Sequence, residues 1–132
     1  MEEEKLIKKI LQEAKTIAVV GLSPKEYRTS HIVAKYLKEH NYKIIPVYPR
    51  EDEILGEKVY RELTDIKEKI DVVLIFRRSE EVFEVVKQAI KMKPKYIWMQ
   101  LGIENKEAEE FARKNGVEVV SNRCMKIEHS SL

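Results

Sequence analysis

At 132 residues the chain suits one compact domain and is too short for a cofactor domain plus a separate substrate domain. Charged residues make up 36% of it, yet the formal net charge is only +2, so bulk charge gives no attraction to nucleic acid or to an anionic membrane. A single cysteine, Cys124, excludes an internal disulfide framework, and with only three histidines it argues against a structural zinc site; the acidic start and the lack of a long apolar run point to a cytoplasmic protein.

Leu6, Ile7, Ile10, Leu11 and Ala14 share one helical face, which predicts an amphipathic helix in residues 1–15, packed on a main domain over residues 16–132. Thr16 to Leu22 is a near-continuous apolar run of the kind expected for a strand covered on both faces. A helix follows from Thr29, with Ile32, Val33, Tyr36 and Leu37 on its inner face, ending near His40-Asn41. Lys43 to Tyr48 reads as the second strand, closed by Pro49, and Val59-Tyr60 as a short edge strand after a turn at Leu55-Gly56. Asp71 to Phe76 is the third long strand, with Ser79 as N-cap of a helix carrying Val82, Val85, Val86, Ala89 and Ile90. Tyr96 to Met99 supplies a further strand, Ala108, Phe111 and Ala112 the inner face of a further helix, and Val117 to Val120 a last strand after Gly116.

Strands alternate with helices throughout. That order predicts an α/β fold, a doubly wound and mainly parallel sheet of about five strands with helices on both faces, built with right-handed crossovers. In such a sheet the ligand site lies at the carboxyl ends of the strands, near the switch in strand order. The residues that follow the strands therefore belong to one crevice and can be read as a set.

After the first strand come Gly21, Leu22, Ser23, Pro24 and Lys25, with Arg28, Thr29 and Ser30 leading into the helix. A helix N-terminus offers unpaired N–H groups and a positive dipole end, Ser23 can donate its hydroxyl, and Lys25 and Arg28 add charge, which together favour an anion. The dinucleotide fingerprint G-x-G-x-x-G is incomplete, because Ser23 and Glu26 stand where its second and third glycines belong. After the second strand, Arg50 suits a phosphorylated ribose or an ion pair with Glu51 or Asp52, and Tyr48 could flank an adenine ring or pack. Val47 ends that strand. After the third, Phe76 precedes Arg77 and Arg78, whose guanidinium forks match phosphate oxygens and can equally pair with Glu80 and Glu81. After the fourth, Gln100 could hydrogen-bond a ligand amide and Gly102 allow close approach, although both could be turn residues.

Catalytic signatures are scarce. Gly21 to Lys25 is not a G-x-S-x-G elbow, no P-loop is present, and His31 in the first turn of an amphipathic helix reads as a surface or packing residue. Asp71 begins its strand, on the wrong edge for a phosphoacceptor.

Taken in order, Val-Gly-Leu-Ser-Pro, Arg-x-Ser, Ile-Pro-Val-x-Pro, Ile-Leu-Gly-Glu-Lys-Val-Tyr, Phe-Arg-Arg-Ser, Trp-x-Gln-Leu-Gly and Asn-Arg-Cys-x-Lys-Ile-Glu-His resemble the small single-domain CoA-binding proteins. Their fold is similar to the CoA-binding domain of the succinyl-CoA synthetase α subunit, and the resemblance covers residues 16–129. It implies a Rossmann-like domain that binds coenzyme A or an acyl-CoA. By position, Gly21, Leu22, Ser23 and Pro24 with Arg28 and Ser30 would hold the phosphates; Val47 and Arg50 would meet the adenosine end with its 3′-phosphate. Phe76, Arg77 and Arg78 would border the nucleotide and pyrophosphate, and Gln100 and Gly102 would lie along the pantetheine arm. Tyr48 departs from the Asn that the family often carries there. The synthetase's second domain, with its phosphorylated histidine, has no counterpart in these residues.

The expectation is a non-catalytic carrier, sensor or subunit, with a homo-oligomer or a partner chain possible and no role for nucleic acid, membrane or metal. The alternative is an NAD(P)-binding redox sensor or one part of a multi-chain enzyme. Cys124, after the last strand, could form a mixed disulfide with the CoA thiol or remain a buried, inert cysteine.

Overall fold

A computed structural model describes residues 2–132. In chain order the elements are α1 (Glu2–Glu13), β1 (Thr16–Val20), α2 (Thr29–Glu39), β2 (Lys43–Val47), the hairpin β3 (Glu53–Ile54) and β4 (Glu57–Lys58), β5 (Val72–Ile75), α3 (Val82–Lys91), β6 (Tyr96–Met99), α4 (Lys106–Lys114), β7 (Glu118–Val120) and α5 (Met125–Ser130). Five strands form one parallel sheet in the order β2-β1-β5-β6-β7, as the alternating apolar runs require. The fold is a single Rossmann-like α/β domain.

Alternation along each strand divides the core in two. Ile17, Val19, Ile44, Val72, Leu74, Tyr96 and Trp98 face α1, α2 and Met125 of α5. Ala18, Val20, Ile45, Val73, Ile75, Ile97 and Met99 face α3 and α4 on the other side. Trp98 is fully buried, and its indole N–H donates to the carbonyl of Arg123 at 2.8 Å, which fixes the chain between β7 and α5. At the amino edge, Asp71 Oδ2 accepts from the N–H groups of Lys15 and Thr16 at 2.9 and 3.0 Å, so its carboxylate clamps the start of β1 against β5.

Four local expectations change. Ile32 is 44% exposed, and the buried stripe of α2 instead runs through Ser30, His31, Val33, Ala34 and Leu37, with Tyr36 half-buried. Small Ala34 lets that face lie close on the sheet. Ser79 does not cap α3, which starts through a single 3-10 turn with no side-chain cap. Its hydroxyl accepts from Glu104 N–H at 3.1 Å and its carbonyl accepts from Asn105 Nδ2 at 3.0 Å, tying the loop after β6 to the loop after β5. Val59-Tyr60 is not a regular strand; the turn at Leu55-Gly56 closes the β3–β4 hairpin, and Tyr60 makes one parallel bridge to Val47. Helix α5 lies where the sequence showed only a motif, because six residues are too few to display a helical period.

Candidate functional site

Strand β1 pairs with β2 on one side and β5 on the other, so the order of strands reverses direction between β1 and β5. Two chain exits diverge there. Val20 O accepts from Phe76 N–H and Val47 O accepts from Gly21 N–H, both at 2.9 Å, which extends the ladder one residue past β1 and opens a gap above it. Gly21 turns the chain at φ +88, a backbone conformation that side chains disfavour.

Hydrogen bonds shape the loop beyond Gly21 from within. Ser30 Oγ accepts from Ser23 N–H at 3.0 Å, Ser23 Oγ accepts from Lys25 N–H at 3.1 Å, and His31 Nδ1 lies 2.9 Å from the carbonyl of Ser23. Since a carbonyl only accepts, the His31 proton sits on Nδ1, and the buried imidazole is a loop brace. The first intrahelical donors of α2 are His31 and Ile32, both bonded to Arg28 O; the N–H groups of Thr29 and Ser30 have no protein partner among the described residues. No side chain caps this terminus and no acidic residue lies in its first turn, so its positive end is not neutralised.

This open terminus faces a cleft of about 960 Å³, near the upper end of small-molecule sites. Gly21, Ser23, Lys25, Arg28 and Ser30 line it from the first loop, Val47 and Tyr48 from the end of β2, and Phe76 and Arg77 from the end of β5. A smaller cleft of about 470 Å³ continues along the sheet edge and shares Thr29, Phe76, Arg77 and Glu80 with the first; Arg78, Gln100 and Gly102 line it. The structure thus brings twelve of the fifteen residues singled out in the sequence to one continuous edge. Leu22 is fully buried beneath the loop, and Pro24 and Arg50 lie outside both linings.

The basic residues differ in how free they are. Lys25 and Arg28 form no ion pair among the described residues. Arg77 Nε and Arg78 both bind Glu81, at 3.0 and 2.8 Å, and these bonds from Arg78 and then Arg77 hold the Glu81 carboxyl below the usual carboxylate range. The pairing with acidic neighbours is therefore the arrangement adopted. Gln100 is buried and lines the second cleft; its Oε1 accepts from Met125 N–H at 3.3 Å at the start of α5, and its Nε2 has no protein partner among the described residues. Gly102 has φ +87, a conformation that favours glycine, with open space where a Cβ would stand, and its N–H donates to Asn122 Oδ1 at 2.7 Å. Cys124 precedes α5 and is half-buried against the core.

Sequence reasoning missed Arg61. It lines the main cleft and donates to the carbonyls of Arg50 and Glu51 at 3.3 and 2.7 Å, with Asp52 Oδ1 at 3.7 Å. The signal was present: Tyr60 bridges Val47 in parallel, so the next residue arrives at the same carboxyl edge. Glu84, Val85 and Gln88 of α3 also line this cleft and carried no sequence signal, because they lie a helical turn beyond the strand end. Among the described residues no group of three or more His, Cys, Asp or Glu could hold a metal ion, and no helix is long and apolar enough to cross a membrane.

Comparison with known proteins gives a consistent answer. The model of the family described as CoA binding domain matches residues 15–130. An uncharacterized protein of Bacillus subtilis, YneT, is 42% identical over 94% of this chain and 92% of its own length. A solved structure of a hypothetical protein from Pyrococcus horikoshii superimposes with a TM-score of 0.94 at 44% identity, covering 98% of this chain and 91% of that one. An ADP-forming acetate–CoA ligase of Methanocaldococcus jannaschii is 28% identical over 90% of this chain, which spans only 18% of the ligase.

Proposed function

The chain belongs to the CoA-binding domain family, and from that premise we propose that the cleft between the first loop, β2 and β5 binds coenzyme A or an acyl-CoA. One observation carries the reading: the uncapped N-terminus of α2, with two free N–H groups and unpaired Lys25 and Arg28 beside it, opens into a cleft of about 960 Å³. Phosphate oxygens suit this donor set, since each accepts from N–H and gains from the dipole and the two cations. Ser23 and Ser30 hydroxyls, whose oxygens already accept from backbone, keep their own protons to donate.

The adenosine end would then lie toward Val47, Tyr48 and Phe76. Arg61, which lines the cleft where Arg50 does not, supports an assignment of the 3′-phosphate to Arg61, with Arg50 contributing longer-range charge. The pantetheine arm would follow the second cleft past Gln100 Nε2 and Gly102. We read the protein as a cytoplasmic carrier, sensor or subunit that performs no chemistry on the ligand, with Cys124 as packing rather than as a partner for the CoA thiol.

Calorimetric titration with CoA, dephospho-CoA, NADPH and NADH tests this. Saturable binding of CoA, stronger than that of dephospho-CoA and absent for NADH, is the expected result; binding of NADPH alone would replace it with the dinucleotide reading.

A further inference from the structure

The main cleft carries an acidic group on its β5 side, beside Arg77. Glu81 lines it, and its two carboxylate oxygens hold separate arginines, Oε1 from Arg77 Nε at 3.0 Å and Oε2 from a terminal nitrogen of Arg78 at 2.8 Å. Glu80 adds a contact to Arg78 at 4.0 Å. Glu84, one turn along α3, lines the same cleft but pairs with Lys87 at 3.3 Å and touches neither arginine. One carboxylate thus engages both of the guanidinium groups that follow β5, while Lys25 and Arg28 across the cleft stay free.

We infer that Glu81 is a latch on the phosphate cleft: it holds Arg77 and Arg78 until a ligand bearing adjacent phosphate groups displaces it. The inference rests on the phosphate-binding reading above and adds to it a competitor, built into the chain, for the two arginines. An anion entering beside Lys25 and Arg28 meets, on the β5 side, a cluster in which Glu81 already takes one N–H from each arginine. A single negative charge gains little by exchanging with a carboxylate of the same charge. A pyrophosphate-type ligand offers more charge and more acceptor oxygens, so it can take the guanidinium forks and leave Glu81 to solvent. Because the Arg77 and Arg78 side chains are 42% and 75% exposed, exchange needs no rearrangement of the core, and its energetic scale is that of surface ion pairs.

Glu81→Gln tests the latch, with Glu110→Gln, an exposed carboxylate of α4 that lines neither cleft, as a control that removes the same charge. Inorganic pyrophosphate and CoA serve as probes, each titrated at low and high ionic strength. Glu81→Gln is expected to tighten pyrophosphate and CoA about fivefold at low salt, with the gain shrinking as salt rises, and Glu110→Gln to change them by less than about twofold. Equal or weaker binding in Glu81→Gln would overturn the latch and make Glu81 a positioning residue for the arginines. An equal gain in Glu110→Gln would reduce the effect to general electrostatics and overturn it as well, as would pyrophosphate that binds neither protein. If Glu81→Gln tightens pyrophosphate while no variant binds CoA, the latch stands and the CoA reading fails. If the wild type binds CoA and Glu81→Gln does not improve it, the reverse holds.

Discussion

A Cβ on Gly21 would stand 2.5 Å from the carbonyl oxygen of Phe76, a distance that side chains do not tolerate. The two residues are the first beyond β1 and β5, and the ladder holds Phe76 N–H on Val20 O, which keeps the Phe76 backbone beside Gly21. Glycine at this position is thus a condition for two neighbouring strands to end side by side at the switch point.

Gly21→Ala should therefore cost about 2–4 kcal/mol of stability, combining a positive φ with a backbone clash. Gly102→Ala, with a similar φ of +87 and no atom within 4 Å of the added carbon, should cost only about 1 kcal/mol. Urea unfolding of both variants checks the contrast. Equal losses would mean that the Phe76 contact relaxes.

Arg61→Ala should weaken CoA about tenfold and dephospho-CoA far less, while Arg50→Ala should have the smaller effect, because Arg61 lines the cleft and Arg50 does not. Titration of each variant with both ligands reads this directly. A larger selective loss in Arg50→Ala would return the 3′-phosphate to the residue first singled out in the sequence.

Arg28→Ala should weaken CoA and dephospho-CoA equally, by about tenfold, and flatten the salt dependence of both, since in the proposed pose its unpaired charge would lie beside the shared phosphates and not the 3′-phosphate. Affinities measured across a salt series distinguish this from a loss of fold, which would remove binding at every salt concentration.

His129 links α5 to α2. Its Nδ1 lies 2.8 Å from the Tyr36 hydroxyl, with His40 and Tyr42 against its ring and Lys126 of its own helix over Tyr36. Burial first, and His40 second, hold this imidazole below its usual value. A histidine lowered in the folded state contributes fully above the unfolded value of about 6.5, and that contribution is lost as pH falls through the lower folded value. Thermal stability should drop as pH falls below about 6.5, and His129→Gln, which can still accept from Tyr36, should show a shallower drop. Parallel curves for the two proteins would contradict this.

How much of this was visible in the residues varies with length scale. The five long strands were legible because both faces are covered, which makes Val72–Ile75 and Tyr96–Met99 wholly apolar runs. Where burial is decided by rotation of a helix, as at Ile32, composition could not tell a buried isoleucine from an exposed one. Ser79 has the chemistry of an N-cap, but the loop after β6 competes for its hydroxyl. At the site, residues directly after a strand were found, whereas Arg61 arrives through a single bridge and Glu84 and Gln88 through helix geometry. Pairing preferences were the least legible: Arg77 and Arg78 read equally as phosphate ligands and as partners of Glu81, and only coordinates separate the two.

The central claim is that the open N-terminus of α2 receives the phosphates of coenzyme A. Backbone amide NMR of the labelled protein during CoA titration tests it most directly. The account predicts saturable shifts that are largest at Gly21, Ser23, Thr29 and Ser30, with Phe76 and Gly102 following along the sheet edge. Saturating CoA that leaves those amides unmoved, or that shifts a set on another face of the domain, would contradict it.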